Sequence, residues 1–270
     1  VTSHTQALNS GSANASKASP KLSVIFGPWQ KTEFFVNAGN GFHSNDARGT
    51  TAKIDPKTGL PIDAVPGLVS SRGQELGIKS QIIPDLQTTL AIWRLDFDSE
   101  LVYVGDAGNT EAGRPSRRTG VEWSNHWTLG AHFLMDANFA WTRPRYSDND
   151  PAGNYIANAV QKVANLTFAV RHLGPWSGSL GVRYIGAAPL MEDNSVSSTS
   201  SLTTNLRINR KMSNDLDIAL DVLNLADRKN NDISYYYTSR VSSEPLLGVE
   251  GLHVHPAEPR TFRLTARMRF

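Results

Sequence analysis

The chain closes on Thr261-Phe-Arg-Leu-Thr-Ala-Arg-Met-Arg-Phe270, a stretch in which apolar and polar residues alternate without interruption. The apolar positions are Phe262, Leu264, Ala266, Met268 and Phe270. Threonines and arginines occupy every position between them. Because successive side chains of a β-strand point to opposite faces, this stretch is predicted to form a strand with one apolar and one cationic face.

The composition is that of a folded protein that has neither disulfide bonds nor metal sites with cysteine ligands. Of 270 residues, 39% are hydrophobic and 19% are charged, which excludes a disordered chain. The net charge of +2 gives no indication of a nucleic-acid partner. There is no cysteine. No apolar run approaches the roughly 18–20 residues of a membrane helix, but a membrane β-barrel, whose hydrophobicity alternates, is compatible with the sequence.

The same alternation recurs from about residue 20 onward and predicts about eleven strands and no long helix. The connections between these strands alternate in length. Short connections are expected near residues 28, 84, 128, 175 and 213. Long connections are expected at about 43–68, 106–115, 147–156, 189–200 and 229–259. Bacterial outer-membrane barrels have this asymmetry, with short periplasmic turns and longer extracellular loops.

Charged residues opposite the apolar rows indicate which face would contact lipid. They are Asp96, Arg183, Arg207, Asp217, Asp221, Arg263 and Arg267. An arginine facing lipid near the middle of the bilayer costs about 2–4 kcal/mol in such barrels, so these charges are predicted to line the interior. The apolar rows are predicted to face outward and contain aromatic residues, as membrane-interface girdles do. These aromatic residues are Trp93, Trp123, Phe133, Phe139, Trp141, Phe168, Tyr184, Phe262 and Phe270.

The predicted fold is all-β: an antiparallel transmembrane β-barrel, of which about eleven strands are present. With an odd number of antiparallel strands the first and last run parallel, so the segment would not close on itself in the bacterial manner. On this count residues 20–270 are the C-terminal part of a larger barrel, and residues 1–19 are a loop or a disordered end. One strand more or fewer would instead allow a closed barrel of about ten or twelve strands.

Four stretches carry a family resemblance. Thr32–Arg48 contains the run Gly-Phe-His-Ser-Asn-Asp-Ala-Arg, and Asp221–Arg228 fits the pattern VxNLxxR. The other two are Tyr235–Arg240 and the ending His255–Phe270. Each is weak alone, but together they resemble TonB-dependent outer-membrane receptors, over nearly all of residues 20–270.

This resemblance implies a 22-stranded barrel filled by an N-terminal plug, of which the chain would be the C-terminal half. Such receptors import scarce solutes (ferric siderophores, cobalamin or carbohydrates) across the outer membrane of Gram-negative bacteria, with energy delivered by TonB. Neither a plug nor a TonB box is recognisable in the sequence. Contact with TonB is therefore expected only through a missing N-terminal region, and the chain alone is not expected to transport.

The resemblance also implies partners for the two faces of the wall. Outer-membrane lipid would cover the apolar rows, and an extracellular solute would contact the long loops. The final strand matches the pattern that the barrel-assembly machinery reads in this family. The matching residues are Phe262, Leu264, Met268 and Phe270.

Candidate solute contacts lie in two of the predicted loops. They are His43, Asp46, Arg48, Tyr235, Tyr236 and Tyr237. The first three could equally hold their loop by hydrogen bonds, and the tyrosines could stack on a ligand or belong to an interface girdle. His253 and His255 would share one face of an extended segment, where they could ligate a metal or have a structural role.

Familiar catalytic motifs are missing from the sequence, which has no GxSxG, HExxH or P-loop pattern. Catalysis, a cofactor and a bound metal are therefore not predicted. The predicted function is the barrel part of an outer-membrane solute receptor. Two other interpretations remain open: a passive outer-membrane porin or barrel scaffold without energy coupling, and a soluble β-rich binding protein.

Overall fold

The computed structural model describes residues 2–3, 7–45, 47–55, 59–99, 101–104 and 109–269. Eleven strands in this part of the chain form one antiparallel sheet. They are β1 (Lys21–Trp29), β2 (Thr32–Ser44), β3 (Leu68–Ser80), β4 (Leu86–Phe97), β5 (Ser116–Leu129), β6 (Phe133–Tyr146), β7 (Lys162–Leu173), β8 (Trp176–Ile185), β9 (Ser201–Lys211), β10 (Leu216–Leu223) and β11 (Thr261–Met268). Each strand pairs with its neighbour in this order, so the predicted all-β fold and the count of eleven strands are confirmed.

The connections alternate between short and long, as predicted. Short ones leave β1, β3, β5, β7 and β9, and long ones leave β2, β4, β6, β8 and β10. Because neighbouring strands are antiparallel, all short connections lie at one end of the sheet (the turn end) and all long ones at the other (the loop end). At the turn end, Gln30 and Lys31 have φ values of 47° and 61°, which suit the two-residue hairpin between β1 and β2.

Smaller elements belong to the connections. Ala47–Thr51 is a short helix after β2, and Asn231–Ser239 pairs with Val249–Pro256 in a hairpin between β10 and β11. Two further two-stranded pairs are formed by Thr2–Ser3 with Gly11–Ser12 and by Leu101–Val104 with Asn109–Ala112. In the ranges that the structure describes, no helix has the length and hydropathy needed to cross a membrane.

Both edges of the sheet are open. Within the described ranges, β1 is bonded only to β2 and β11 only to β10. Both edge strands run from the loop end to the turn end and are therefore parallel to each other, so they do not form the antiparallel closing pair of a bacterial barrel. The sheet has the form of a barrel wall, not of the closed ten- or twelve-stranded barrel that the sequence left open.

The two faces of the sheet separate apolar from polar side chains, and the register shows which residues share a face. Leu264 lies opposite Leu220, and Leu220 lies opposite Ile208, in one apolar row across three strands. The neighbouring row is ionic: Arg263 lies opposite Asp221, whose Oδ1 is 3.2 Å from Nη1 of Arg207. We call the apolar side the outer face and the polar side the inner face.

The structure confirms the predicted facing of most charged and aromatic residues. The predicted charges that share the inner face are Arg183, Arg207, Asp217, Asp221, Arg263 and Arg267. The predicted aromatic residues on the outer face are Trp123, Phe133, Phe139, Trp141, Phe168, Tyr184 and Phe262. Phe270 lies outside the described residues.

Strand β4 corrects the prediction at two positions. Trp93 lies opposite Glu75 and therefore points to the inner face, whereas Asp96 lies opposite Arg117 on the outer face. Apolar residues occupy both alternations of this strand, and its register is fixed by the outer-face row of Leu76 and Ile92. Asp96 lies near the loop end of β4, past the apolar row, so a charge on the outer face there need not enter the centre of the bilayer.

Two aromatic rings of the inner face fill spaces left by glycines. A Cβ added to Gly120 would lie 2.6 Å from Cζ2 of Trp93, and one added to Gly77 would lie 2.1 Å from Cζ of Phe35. Real Cβ atoms do not approach other atoms so closely. The missing side chains of Gly77 and Gly120 thus allow a ring from the adjacent strand to lie flat on the sheet.

Candidate functional site

One arginine joins three of the long connections at the loop end. The Arg114 guanidinium donates to Asp148, with Nη2 2.7 Å from Oδ1, and to Glu192, with Nη1 2.6 Å from Oε2. It also lies over the ring of Tyr146, 4.3 Å from the centroid. The arginine and its two acidic partners belong to the connections before β5, after β6 and after β8, so one side chain holds three loops together.

Backbone hydrogen bonds and a small apolar core join two of these loops directly. The amide of Tyr155 donates to the carbonyl of Glu192 at 2.9 Å, and that of Asn158 donates to Pro189 at 2.8 Å. Ile156 and Leu190 are buried between them. The connections after β6 and β8 therefore form one packed body above the wall.

The arginine also lowers the pKa of its partner. The hydrogen bond from Arg114 stabilises the carboxylate form of Asp148 and holds the pKa of that carboxyl below its ordinary value. The pKa of Asp193 is also lowered, because the backbone N–H and the hydroxyl of Ser195 donate to it. Both side chains are therefore anionic at neutral pH.

A second clamp closes the last long connection, which contains the Asn231–Ser239 hairpin strand. Asn224 is buried, and its Nδ2 donates to the carbonyl oxygens of Arg228 at 2.9 Å and Glu258 at 3.2 Å. Asp227 accepts a hydrogen bond from the backbone amide of Arg260 at 3.0 Å. The two ends of the connection are thus tied together directly above β10 and β11.

Beneath that connection the inner face encloses a cavity of about 380 Å³. Its lining comes from β8, β9, the connections after β6 and β8, and the base of the hairpin. Lining residues with polar or aromatic groups include Arg183, Ser201, Thr203, Asn230, Asp232 and Tyr235. One cation, one anion and several hydroxyl or amide groups thus converge on one concave space at the loop end.

A wider groove of about 550 Å³ follows the inner face from β1 to β5. Gly39 and Gly41 form part of its floor, together with Asn37, Glu75 and Trp93. Asn37 Nδ2 donates to Glu75 Oε2 at 2.9 Å, so the acid in the groove is already hydrogen-bonded. This groove and the cavity at the loop end both lie on the inner face, the groove toward the β1 edge of the sheet and the cavity toward the β11 edge.

The predicted contacts at the first long connection lie near the β1 edge of the sheet. His43 is on the inner face of β2, with its ring 6.0 Å from that of Phe97. Arg48 is in the helix Ala47–Thr51, and Asp46 lies outside the described residues. Buried Asn45 organises this connection: its Nδ2 donates to the carbonyl of Pro66 at 2.7 Å.

The three tyrosines lie on the two faces of the hairpin. Tyr235 and Tyr237 share one face with His253, while Tyr236 is on the other face. The Tyr237 and His253 rings are stacked, with centroids 3.9 Å apart and planes 18° apart. Of the three, Tyr235 lines the smaller cavity. This hairpin follows β10, whereas His43 lies in β2, near the opposite edge of the sheet. The structure therefore does not bring the predicted contacts of the first and last long connections into one site.

The two histidines of the hairpin share a face, as predicted, but the described residues contain no cluster of three or more metal-ligating side chains. The ring of His253 stacks on the ring of Tyr237. His255 lies opposite Ile233.

Sequence reasoning did not identify the residues that hold the loop end together. Asn224 lies within the Asp221–Arg228 motif, so the motif itself was a usable signal. Arg114 had no such signal, because its partners Asp148 and Glu192 are 34 and 78 residues away in the chain.

The final strand presents its apolar row on the outer face. Phe262, Leu264 and Met268 are 67%, 75% and 61% exposed. The fourth residue of the predicted assembly pattern, Phe270, is not among the described residues. β11 is thus a strand with one free edge and an uncovered apolar face.

Comparisons with known proteins agree with this architecture. A family model described as "TonB dependent receptor-like, beta-barrel" matches residues 1–225. The ferric-catecholate import receptor Fiu of E. coli K12 in its closed form superposes with a TM-score of 0.68 at 20% identity, over 93% of this chain and 34% of Fiu. The ferric yersiniabactin uptake receptor FyuA of Yersinia pestis superposes with a TM-score of 0.71 at 17% identity, over 93% of this chain and 37% of FyuA.

The siderophore receptor PiuA of Acinetobacter baumannii gives a TM-score of 0.67 at 13% identity, over 91% of this chain and 35% of PiuA. The chain thus spans about a third of the length of these receptors. At these identities the likeness shows a shared fold. No curated protein matches the chain at the sequence level. Since the family model covers most of the sequence, the chain belongs to the TonB-dependent receptors and contributes to their β-barrel.

Proposed function

We propose that the chain is the C-terminal half of the 22-stranded wall of an outer-membrane receptor that imports a scarce solute with energy from TonB. The observation that supports this most strongly is the eleven-stranded meander with two open edges, all of whose long connections lie at one end. In a bilayer, bare strand edges are forbidden, so β1 and β11 need partner strands from elsewhere in the receptor. The plug and the TonB box would lie on that other part as well.

The solute would be of the ferric siderophore, cobalamin or carbohydrate type and would be captured at the loop end. The receptors Fiu, FyuA and PiuA are described as importing iron complexes or siderophores, which favours the first of these classes. Tyr235 and Arg183 line the smaller cavity there, where a ring could stack and an anionic group could be held. His43, Arg48, Tyr236 and Tyr237 would contribute at the outer loops.

The outer face supports the proposed location in the outer membrane of a Gram-negative bacterium. Leu264, Phe262 and Met268 are exposed on it as one contiguous row, which lipid would cover. The same row on β11 would be recognised by the barrel-assembly machinery. No observation favours the passive porin, and family membership supports a part in a transport receptor.

Solute uptake by intact cells tests this function. The complete receptor gene that encodes this chain is expressed in a strain that lacks its own siderophore and cobalamin receptors, with and without TonB. We expect TonB-dependent uptake of one labelled solute class, and an at least tenfold loss in Arg183→Ala and Tyr235→Ala, since each removes a group from the cavity. The matched controls are Arg210→Ala and Tyr184→Phe, both on the outer face.

Two results would contradict the proposal. Uptake that is the same without TonB would identify a passive porin. A receptor found in the soluble fraction, with no detergent needed to extract it, would indicate the soluble β-rich binding protein.

A further inference from the structure

The outer face carries a group of basic residues that the solute-import function does not use. Arg72, Arg94, Arg117, Arg143 and Lys162 belong to five consecutive strands, β3 to β7. Their register places each of them on the outer face, in line with residues such as Gln74, Thr119 and Trp141. We call these five residues the basic patch.

The basic patch lies immediately beyond the apolar band. On each strand the nearest apolar outer-face residue on the turn-end side of the cation lies two or four positions from it. These nearest apolar residues are Leu76, Ile92, Val121, Trp141 and Ala164. At about 3.3 Å per residue, the cations begin roughly 7–13 Å along the strand beyond the band, which is the depth of lipid headgroups at the loop end.

The patch is confined to one side and one end of the wall. At the loop end of β8, β9 and β11 the outer face carries Tyr184, Leu202 and Phe262 instead of cations. At the turn end, Arg210 is the one lysine or arginine of the outer face among the described strand residues. A general need for solubility would not produce this distribution.

One acid fixes the geometry at the centre of the patch. Asp96 accepts hydrogen bonds from Arg94 Nε at 2.7 Å and from Arg117 Nε at 2.7 Å, so two guanidinium groups share a single carboxylate. The pair of arginines keeps a net positive charge and is held in place by Asp96. Arg72 and Arg143 have no ion-pair partner in the described part of the chain, so their charges are available to an external anion.

We propose that the basic patch binds the phosphate groups of lipid A, the phosphorylated glycolipid anchor of lipopolysaccharide in the outer leaflet. The assignment rests on the proposed outer-membrane location. The planar guanidinium forms paired hydrogen bonds with phosphate oxygens, and lipid A presents phosphates at the headgroup depth where the patch lies. Five cations against one carboxylate give a net charge of the sign that this lipid requires.

The test uses the complete receptor, extracted from its own outer membrane in mild detergent and exchanged to be free of lipid. Native mass spectrometry follows binding of bis-phosphorylated lipid A, of lipid A without phosphates, and of inorganic phosphate as competitor. We expect the double variant Arg72→Gln with Arg143→Gln to bind lipid A about 25-fold more weakly, since each cation near an anionic lipid surface contributes about fivefold. Neither arginine has an ion-pair partner among the described residues, so the variant is expected to assemble normally.

Two control variants test whether lipid A binding depends on the positive charges at these two positions. Arg210→Gln removes an outer-face cation at the turn end and should leave binding unchanged. Arg72→Lys with Arg143→Lys should restore binding in part, because it returns the charge but not the paired hydrogen bonds. Equal binding by the double variant and the unaltered receptor would overturn the proposal, as would equal binding of lipid A without phosphates. Displacement of lipid A by an equal concentration of inorganic phosphate would identify a free-phosphate site instead.

Failure of the lipid A site can be distinguished from failure of the import function. Membrane fractionation and TonB-dependent uptake are measured in the same strain. Loss of both in the unaltered receptor would overturn the import function, while normal uptake with unselective lipid binding would overturn only the lipid A site.

Discussion

The guanidinium of Arg114 lies 2.6 Å from the carboxylate of Glu192, which ties the connection before β5 to the connection after β8. Replacing Arg114 by glutamine removes this contact and the one with Asp148. We expect amide hydrogen exchange in residues 113–115 and 147–154 to accelerate about fivefold, because surface ion pairs contribute modestly to local stability. Arg210→Gln, at the turn end, is the control. Unchanged exchange in Arg114→Gln would show that backbone contacts alone hold the loops.

The same loops are expected to loosen in acid. The lowered pKa of Asp148 means that its stabilising contribution is complete above the ordinary carboxyl pKa of about 3.9 and is lost as the pH falls through the lower, folded-state value. Loop exchange, corrected for its intrinsic pH dependence, should therefore be constant between about pH 7 and pH 5 and rise below about pH 3.9. In Arg114→Gln the rise should be smaller; an identical rise would assign it to another group.

Asn224 is expected to be important for the stability of the last connection. Asn224→Ala removes two donated hydrogen bonds and the one accepted from the Arg228 amide, and places alanine at a φ of 49°. The free energy of unfolding should fall by about 2–4 kcal/mol. Asn224→Gly tolerates that φ and should lose only the hydrogen-bond part, so it should be intermediate. Exposed Asn214→Ala at the turn end is the control, and urea titration in bilayers is the measurement.

Gly120 is expected to reject any side chain. Alanine at this position would bring Cβ to 2.6 Å from the Trp93 ring and 2.7 Å from the carbonyl oxygen of Trp141, so about 1–3 kcal/mol of stability should be lost. Gly181→Ala is the matched control, because its Cβ would find Thr167 Oγ1 at an ordinary 3.7 Å. Equal midpoints of unfolding for the two variants would show that Trp93 moves aside at no cost.

The outer face of β11 is expected to reject charge. Leu264→Arg places a cation in the apolar row and should cost about 2–4 kcal/mol if that row lies near the middle of the bilayer. Thr265→Arg adds the same group to the inner face of the same strand and should cost much less. Yield of heat-modifiable receptor in the outer membrane measures both. A normal yield of Leu264→Arg would mean that the apolar row does not face lipid.

The strands were predictable because two independent signals coincide in them. Period-two alternation marks β5 to β11, and turn residues mark the short connections, so eleven strands could be counted from the sequence. In β4 the alternation fails, because apolar residues occupy both faces of the strand: Leu90 and Ile92 lie on one face and Trp93 lies on the other. Pairing with β3 decides the facing, and that information is not local to the strand.

The loop end was less predictable, for a related reason. Its order comes from contacts across many residues, such as Arg114 with Glu192, and from a hairpin whose strands are separated by residues 240–248. Neither feature produces a periodic pattern in the sequence. The candidate tyrosines were located in the correct connection, but that Tyr235 lines a cavity beside Arg183 depends on how the hairpin folds back over β8 and β9.

The separation of short and long connections to opposite ends has an evolutionary consequence. A single residue inserted within a strand would reverse the facing of the residues that follow it in that strand, whereas an insertion in a long connection leaves all eleven registers unchanged. Selection can therefore change the length and composition of the loop-end connections, residue by residue, without repacking the wall and at little cost to folding.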